Sequence, residues 1–342
     1  MTPVQSPISP DKIRELLDDP SRDHLEALAQ EAAGLTRQYF GRAVSLYTPL
    51  YLSNYCSSHC TYCGFHSHNK IRRIKLAAEE IDRELHAIFQ LGTQNILLLT
   101  GESPNITPLS YLTEAVGIAK KYFQGIALEI YPLDEEGYRE LSLAGADGVT
   151  IYQETYDRAR YAAVHLGGQK KDYDYRRGAP ERIARAGLRQ ISLGVLLGLS
   201  PLAEDLAALY AHLRELELKY PGVEYSLSFP RLRPIKDQTF ASCLVDDVAF
   251  TKILCLTRVL FPRVGINLST RETAEFRNHA LELSVTRISI GSKTTVGGYS
   301  VPDEEADPQF DIHDARPAAE VIKYLKANDF DPVFTDWRRI EI

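Results

Sequence analysis

Apolar positions along this chain follow two alternating patterns. Short apolar runs lie near Leu50–Leu52, Asn95–Leu99, Ile126–Ile130, Gly148–Ile151, Gln190–Leu196, Glu224–Phe229, Gly265–Leu268 and Arg287–Ile290. Their length suits strands. Between them the apolar residues recur every three to four positions. Glu79–Leu91 sets Ile81, Leu85 and Ile88 on one helical face and stops at Gly92; another pattern opens at Pro108 with Leu109, Leu112 and Val116; Pro201–Lys219 and Asp246–Leu260 are longer. Strands alternating with helices predict an α/β fold with a parallel sheet. Eight such units without an internal linker predict a closed (β/α)8, TIM-like barrel over residues 44–304. Before it, Asp11–Leu17 and His24–Phe40, with Leu25, Leu28, Ala29, Ala32 and Ala33 at helical spacing, predict an N-terminal helical extension over 1–43. Residues 305–342 are expected to pack on the barrel as a C-terminal segment.

A barrel of this kind carries its chemistry at the C-terminal ends of its strands. Polar motifs fall there repeatedly. Thr100-Gly101-Glu102 follows the second strand, Gln153-Glu154-Thr155-Tyr156 the fourth, and Pro230-Arg231-Leu232-Arg233-Pro234 the sixth. Ser269-Thr270-Arg271-Glu272 follows the seventh and Ser292-Lys293-Thr294 the eighth. The first strand is followed by three cysteines, Cys56-Ser-Ser-His-Cys60-Thr-Tyr-Cys63.

Composition narrows the function. In 342 residues, 44% apolar and 25% charged content is that of a soluble globular protein. The net charge of −7 gives no overall basic footprint for nucleic acid. The most basic stretch, Lys70-Ile-Arg-Arg-Ile-Lys75, reads as a solvated loop edge, with an anionic ligand or a reductase contact as the alternative. The first residues lack a basic start and an apolar core, so no secretory signal is expected. The longest apolar run, around Gly194–Leu199, is too short for a bilayer. Clustered thiols without an export signal suit a reducing cytoplasm.

The cysteines carry the sharpest signal. Five in number, with three in one loop, they do not suit a disulfide framework. Two metal readings remain. A structural zinc would take a fourth ligand from His66 or His68. A [4Fe–4S] cluster held by Cys56, Cys60 and Cys63 would keep one iron open to chelate a small molecule and could supply one electron. That combination suits S-adenosylmethionine (SAM) cleavage to a carbon radical. Tyr62 favours the second reading, because radical-SAM loops carry an aromatic there whose backbone faces the adenine. Cys243 and Cys255, in an apolar helix-like stretch, read as core thiols.

The remaining candidates have competing readings. Gly101 lets a ligand approach the backbone beside Glu102, or simply forms a turn. Gln153 and Glu154 suit ribose hydroxyls, and Arg176 suits a carboxylate; the alternative is surface ion pairing. Arg271 suits a bidentate clamp on an amino-acid carboxylate, against a helix-start pair with Glu272 or Glu275. Of Arg231 and Arg233, one is expected to point inward and the other to brace the loop. Gly297-Gly298 reads as a turn, and Trp337 as packing.

Taken in order, these motifs resemble one family, the radical-SAM tyrosine lyases of thiamine thiazole biosynthesis (2-iminoacetate synthases). The resemblance runs from about Pro49 to Trp337. It includes Tyr-Leu-Ser-Asn-Tyr-Cys56, Cys63-Gly-Phe, Leu-Leu-Leu-Thr-Gly-Glu102, Tyr152-Gln-Glu-Thr-Tyr156, Ser228-Phe-Pro-Arg-Leu-Arg-Pro234, Leu268-Ser-Thr-Arg-Glu272, Ser292-Lys-Thr with Gly-Gly-Tyr299, and Asp336-Trp337. The chain departs from the pattern at Arg177, where an apolar residue is usual. Related aromatic amino-acid lyases share the cysteine loop, so tryptophan lyase stays an alternative. The hydrogenase-maturation enzyme carries a second, C-terminal cysteine-rich cluster site, whereas no cysteine follows Cys255 here. A non-catalytic zinc or cluster scaffold is the alternative of another class. The resemblance implies cleavage of the Cα–Cβ bond of L-tyrosine to 2-iminoacetate (dehydroglycine) and 4-cresol, with SAM converted to methionine and 5′-deoxyadenosine. It implies SAM contacts from Tyr62, Thr100, Gly101, Glu102, Glu154 and Arg176, and a substrate carboxylate on Arg271 with help from Ser289. It also implies flavodoxin or ferredoxin as reductant and a thiazole synthase subunit as recipient.

Overall fold

The computed structural model describes residues 8–232, 245–303, 305–335 and 337. Arg233, Pro234, Cys243, Glu304 and Asp336 lie outside the described residues.

The strands are β1 (Ala43–Ser53), β2 (His59–Cys60), β3 (Asn95–Thr100), β4 (Gly125–Glu129), β5 (Gly148–Glu154), β6 (His165–Gly167), β7 (Gln190–Val195), β8 (Glu224–Ser228), β9 (Gly265–Leu268), β10 (Arg287–Ser289) and β11 (Asp331–Val333). Eight of them, β1, β3, β4, β5, β7, β8, β9 and β10, pair in parallel in that order, and β10 closes on β1 through Ser45↔Arg287 to Tyr47↔Ser289. This is the expected closed barrel. Strands such as Asn95-Ile-Leu-Leu-Leu-Thr100 are buried on both faces, which is why they read as continuous apolar runs. β2 and β6 form a separate antiparallel pair, His59↔Gly167.

The first strand starts at Ala43 rather than near Leu50. Its early half alternates, with Ala43, Ser45 and Tyr47 half-buried and Val44, Leu46 and Thr48 buried, so only its second half reads as an apolar run. The predicted helices form as Pro10–Asp18, Arg22–Phe40, Ala78–Phe89, Leu109–Ala119, Leu202–Lys219 and Asp247–Leu260. The last is capped by Asp246, whose carboxylate accepts from Ala249 N at 2.7 Å. Glu135–Ala144, Ala274–Leu283, Ala318–Ala327, three short α-helices between 158 and 185 and the 3₁₀ turn Gln169–Lys171 complete the described helices.

The described N-terminal helices and C-terminal segment are tied to the barrel. Thr36 Oγ1 donates to Leu283 O at 2.9 Å, and Lys252 Nζ donates to Leu17 O at 2.8 Å. β11 pairs alongside the start of β1, Ala43↔Asp331. Trp337 receives the Arg189 guanidinium 4.8 Å from its ring centroid. Arg189 immediately precedes β7, so Trp337 packs at the rim opposite the strand C-termini. No helix among the described residues is long and apolar enough to cross a membrane.

Candidate active site

At the C-terminal rim of the barrel lies a cavity of about 760 Å³. Every expected site residue stands on its wall: Cys56, Cys60 and Cys63 with Tyr62 from the first loop, Thr100, Gly101 and Glu102 after β3, Glu154 at the end of β5, Arg176, Arg271 and Ser289. Gln153 does not; it is buried and directs its amide toward Tyr173 O at 3.5 Å.

The cysteine loop is held from two sides. Ser57 donates through both its N–H, at 2.8 Å, and its hydroxyl, at 2.7 Å, to Glu102 O. Behind it, a Cβ on Gly101 would sit 2.3 Å from Tyr55 O, so only glycine lets these two loops approach. Arg73 donates to four carbonyls, those of Asn54, Phe65, His66 and Asn69, and thereby gathers both ends of the loop. The basic stretch is therefore not merely a solvated edge. All three thiols are free of disulfides. Burial pushes Cys56 up to about 11 and raises Cys60 and Cys63 as well, so bare thiolates are disfavoured unless a ligated metal compensates.

The zinc reading fails on geometry. Tetrahedral zinc with bonds of about 2.3 Å needs its sulfurs roughly 3.8 Å apart. Among the described residues, the ligand atoms that gather within 4.8 Å of one another belong to His59, His66 and His68, not to the thiols. Three separated thiols around one cavity suit the corners of a cluster.

Charge fills the wall beside them. Glu102 Oε1 accepts from Arg176 Nη1 at 2.8 Å, while Glu102 Oε2 is buried without a partner. Thr100 Oγ1 and Ser292 Oγ are likewise buried and unpartnered. Such orphans are costly unless a ligand meets them. They line the wall next to the thiols, and with Glu102 and Arg176 they suit the ammonium and carboxylate of SAM. Glu154, at φ +70, accepts from Lys170 Nζ at 2.6 Å. Burial works to raise Glu154, but Lys170 and Arg176 outweigh it and hold the carboxyl below its usual range. Arg176 is fixed further by its Nε donating to Tyr152 O at 2.6 Å. The unusual Arg177 turns outward to Glu215 at 3.2 Å and leaves Arg176 undisturbed. Tyr62 is anchored by its hydroxyl, 2.8 Å from His165 Nε2.

Arg271 lines the cavity, and its Nη1 donates toward Arg231 O at 3.5 Å. Buried Glu272 receives Arg231, whose Nε lies 3.1 Å from both carboxylate oxygens; Arg231 also donates to Asp247 at 2.7 Å. Arg231 is thus the loop brace. The Arg271 guanidinium lies 3.6 Å from the Phe310 ring centroid, which orients its plane. Ser289 Oγ accepts from Thr270 N at 3.2 Å, and its hydroxyl also meets the Tyr47 phenol.

Four wall residues escaped the sequence reading. Lys170 sits between Glu154 and Glu102. Glu129, at the end of β4, is pushed up to about 7 by desolvation and by Glu154. Phe310 and Gln309 come from the C-terminal segment, which closes the rim: Thr294 Oγ1 donates to Phe310 O at 2.8 Å and His313 N to Thr270 O at 2.8 Å. A carboxylate inside the apolar run Ile126–Ile130 was the one signal available for Glu129.

Comparison with known proteins agrees with this geometry. Residues 50–213 match the Radical SAM superfamily and residues 228–331 the Biotin and Thiamin Synthesis associated domain. The 2-iminoacetate synthase of Salmonella typhimurium is 41% identical over 96% of this chain and 88% of its own length; that of Escherichia coli is 40% identical over 97% and 88%. The X-ray structure of the FeFe-hydrogenase maturase HydG from Carboxydothermus hydrogenoformans superposes with a TM-score of 0.88 at 32% identity, covering 96% of this chain and 76% of that one. The chain belongs to the radical SAM superfamily, as a member of the 2-iminoacetate synthase family that uses a [4Fe–4S] cluster and SAM.

Proposed function

We propose that this enzyme cleaves the Cα–Cβ bond of L-tyrosine, releasing 2-iminoacetate and 4-cresol for thiazole formation in thiamine biosynthesis. The observation that supports this reading is one cavity whose wall carries both the three thiols and the Arg271–Ser289 corner. Cys56, Cys60 and Cys63 would hold the cluster, which with SAM and one electron from a donor such as flavodoxin or ferredoxin would supply a 5′-deoxyadenosyl radical and methionine; a second electron and a proton would complete 4-cresol after the carbon–carbon bond breaks.

The chain's own residues bind and orient. Glu102 offers Oε2 to the SAM ammonium, and Arg176 contacts its carboxylate. Glu154 meets the ribose hydroxyls, held ionised for that purpose by Lys170. Gly101 and Thr100 let the ligand lie against the backbone, and Tyr62 presents its backbone to the adenine. Arg271 clamps the tyrosine carboxylate through its planar fork, with Phe310 fixing that plane. The Ser289 hydroxyl donates to the same carboxylate. Phe310 and Gln309 narrow the opening and restrict water. Because 2-iminoacetate hydrolyses in water, it passes to a thiazole synthase subunit. A reducing cytoplasm keeps the thiols competent.

The test is anaerobic product analysis of cluster-reconstituted enzyme with SAM, dithionite and each aromatic amino acid. Tyrosine should give 4-cresol, with glyoxylate from the hydrolysed imine. An indole product from tryptophan at comparable rate would overturn the substrate, and cyanide with carbon monoxide as main products would point to the maturase reaction.

A further inference from the structure

Outside the cavity, the cysteine loop carries a second set of metal-type ligands. His59 lies in β2, one residue before Cys60, while His66 and His68 follow Cys63. One ring nitrogen from each falls within 4.8 Å of the other two. The His59 ring lies stacked on His66 at a centroid separation of 5.3 Å and tilted against His68 at 4.1 Å. None of the three lines the cavity. His66 is only 8% exposed, yet its Nδ1 has no hydrogen-bond partner. A buried, unpartnered imidazole nitrogen costs free energy that a bound ion would recover.

The surroundings suit coordination. His68 is exposed, which gives an ion a route from solvent. Its Nδ1 lies 3.1 Å from Ser67 Oγ; with the hydroxyl accepting from Nδ1–H, Nε2 is free to coordinate. The nearby Arg73 is occupied by four carbonyls. Zinc–nitrogen bonds of about 2.0–2.1 Å need only small side-chain rotations from this starting geometry.

We propose that His59, His66 and His68 form a second metal site, distinct from the cluster, for a late first-row divalent ion such as Zn²⁺, with solvent water completing the coordination. Imidazole sets prefer this class of ion. Because its ligands come from both sides of Cys60 and Cys63, the bound ion staples the loop that carries the thiols.

Cluster-loaded enzyme is incubated anaerobically with excess Zn²⁺, desalted, and analysed for zinc, iron and sulfide. The expected result is a single retained zinc per chain with iron and sulfide unchanged. Zinc-edge X-ray absorption should fit nitrogen or oxygen ligands at about 2.0–2.1 Å and no sulfur near about 2.3 Å. His68→Ala, at an exposed position, should weaken zinc by more than the roughly 10–100-fold that removal of an outer-shell partner costs, again with iron unchanged. His59→Ala should do the same. No retained zinc in the wild type, sulfur in its coordination shell, or wild-type affinity in His68→Ala would each overturn the proposal.

Discussion

Arg73→Ala tests how the cluster loop is held. The guanidinium donates from Nη1 to Asn54 O at 2.6 Å and Phe65 O at 2.8 Å, and from Nη2 to His66 O at 2.7 Å and Asn69 O at 3.1 Å. Asn54 precedes Cys56 and Phe65 follows Cys63, so one side chain joins the two ends of the ligand loop. Hydrogen bonds to a charged partner contribute about 1.5–3 kcal/mol each. Four sharing one half-buried group do not add fully, and water will reach some of the freed carbonyls. Removal should therefore cost about 3–5 kcal/mol, comparable to breaking a buried charged contact. The loss falls on the loop rather than on the barrel, so it appears as local opening. At about 1.4 kcal/mol per tenfold, the open population rises by roughly two to three and a half orders of magnitude. Iron release to a chelator under anaerobic conditions should accelerate by that factor, while far-ultraviolet circular dichroism stays unchanged. Arg72→Ala is the control: its Asp303 pair is largely exposed and contributes no more than about 1 kcal/mol. Arg73→Lys should rescue little, because a point charge cannot serve four carbonyls as a planar fork does. Wild-type iron retention in Arg73→Ala would refute the reasoning.

Three further outcomes can be measured directly. Arg271→Ala should weaken tyrosine binding by several kcal/mol while SAM binding holds, and unchanged tyrosine affinity would move the carboxylate site elsewhere. Glu272→Ala leaves Arg231 buried with only Asp247 and Val245 O, and should cost about 3–5 kcal/mol in chemical denaturation; a change below about 1 kcal/mol would show that Arg231 does not depend on it. Glu129 is a carboxyl whose folded value, about 7, lies above its ordinary 4.5. Its native form binds the proton more tightly than the unfolded chain does, so its effect is destabilising and grows as pH rises from about 4.5 to about 7. Glu129→Gln should remove that slope and the matching ionisation near neutrality in tyrosine binding; a wild-type profile in the variant would assign the ionisation to another group.

The barrel was legible because its strands are buried on both faces and therefore read as apolar runs. The elements that escaped notice lack such a signature. Glu135-Glu-Gly-Tyr-Arg-Glu-Leu-Ser-Leu-Ala144 offers few apolar positions and an internal glycine, and its stop signal lies outside it at Gly145. The cysteine loop, Glu102, Glu154 and Arg271 could be located because each falls at or just past the C-terminal end of a strand. Lys170 could not: within Gly167-Gly-Gln-Lys-Lys171 it looks like a solvated turn. Its burial depends on Glu102 and Glu154, which arrive from two other strands. Phe310 gives no local hint either, since its role depends on the C-terminal segment folding back over Thr270 and Thr294.

The charges in the cavity suggest why it takes two amino acids in one turnover. Glu102, Glu129 and Glu154 face Lys170, Arg176 and Arg271 on the cavity wall, which Lys70, Asp307 and Asp311 also line. SAM and tyrosine each bring an ammonium and a carboxylate, so binding adds no net charge from their amino-acid ends. The pairs already present are unequal. Glu154 with Lys170 and Glu102 with Arg176 are close contacts, whereas Glu129 has no side-chain hydrogen bond among the described residues and rises toward neutrality. An arriving cation meets least competition at Glu129 and at the unpartnered Glu102 Oε2. In the proposed reading the carboxylates divide in the same way, one to Arg176 and the other to Arg271 above Phe310. In the proposed arrangement, this uneven pairing is what would give the two zwitterions different corners before either has reacted.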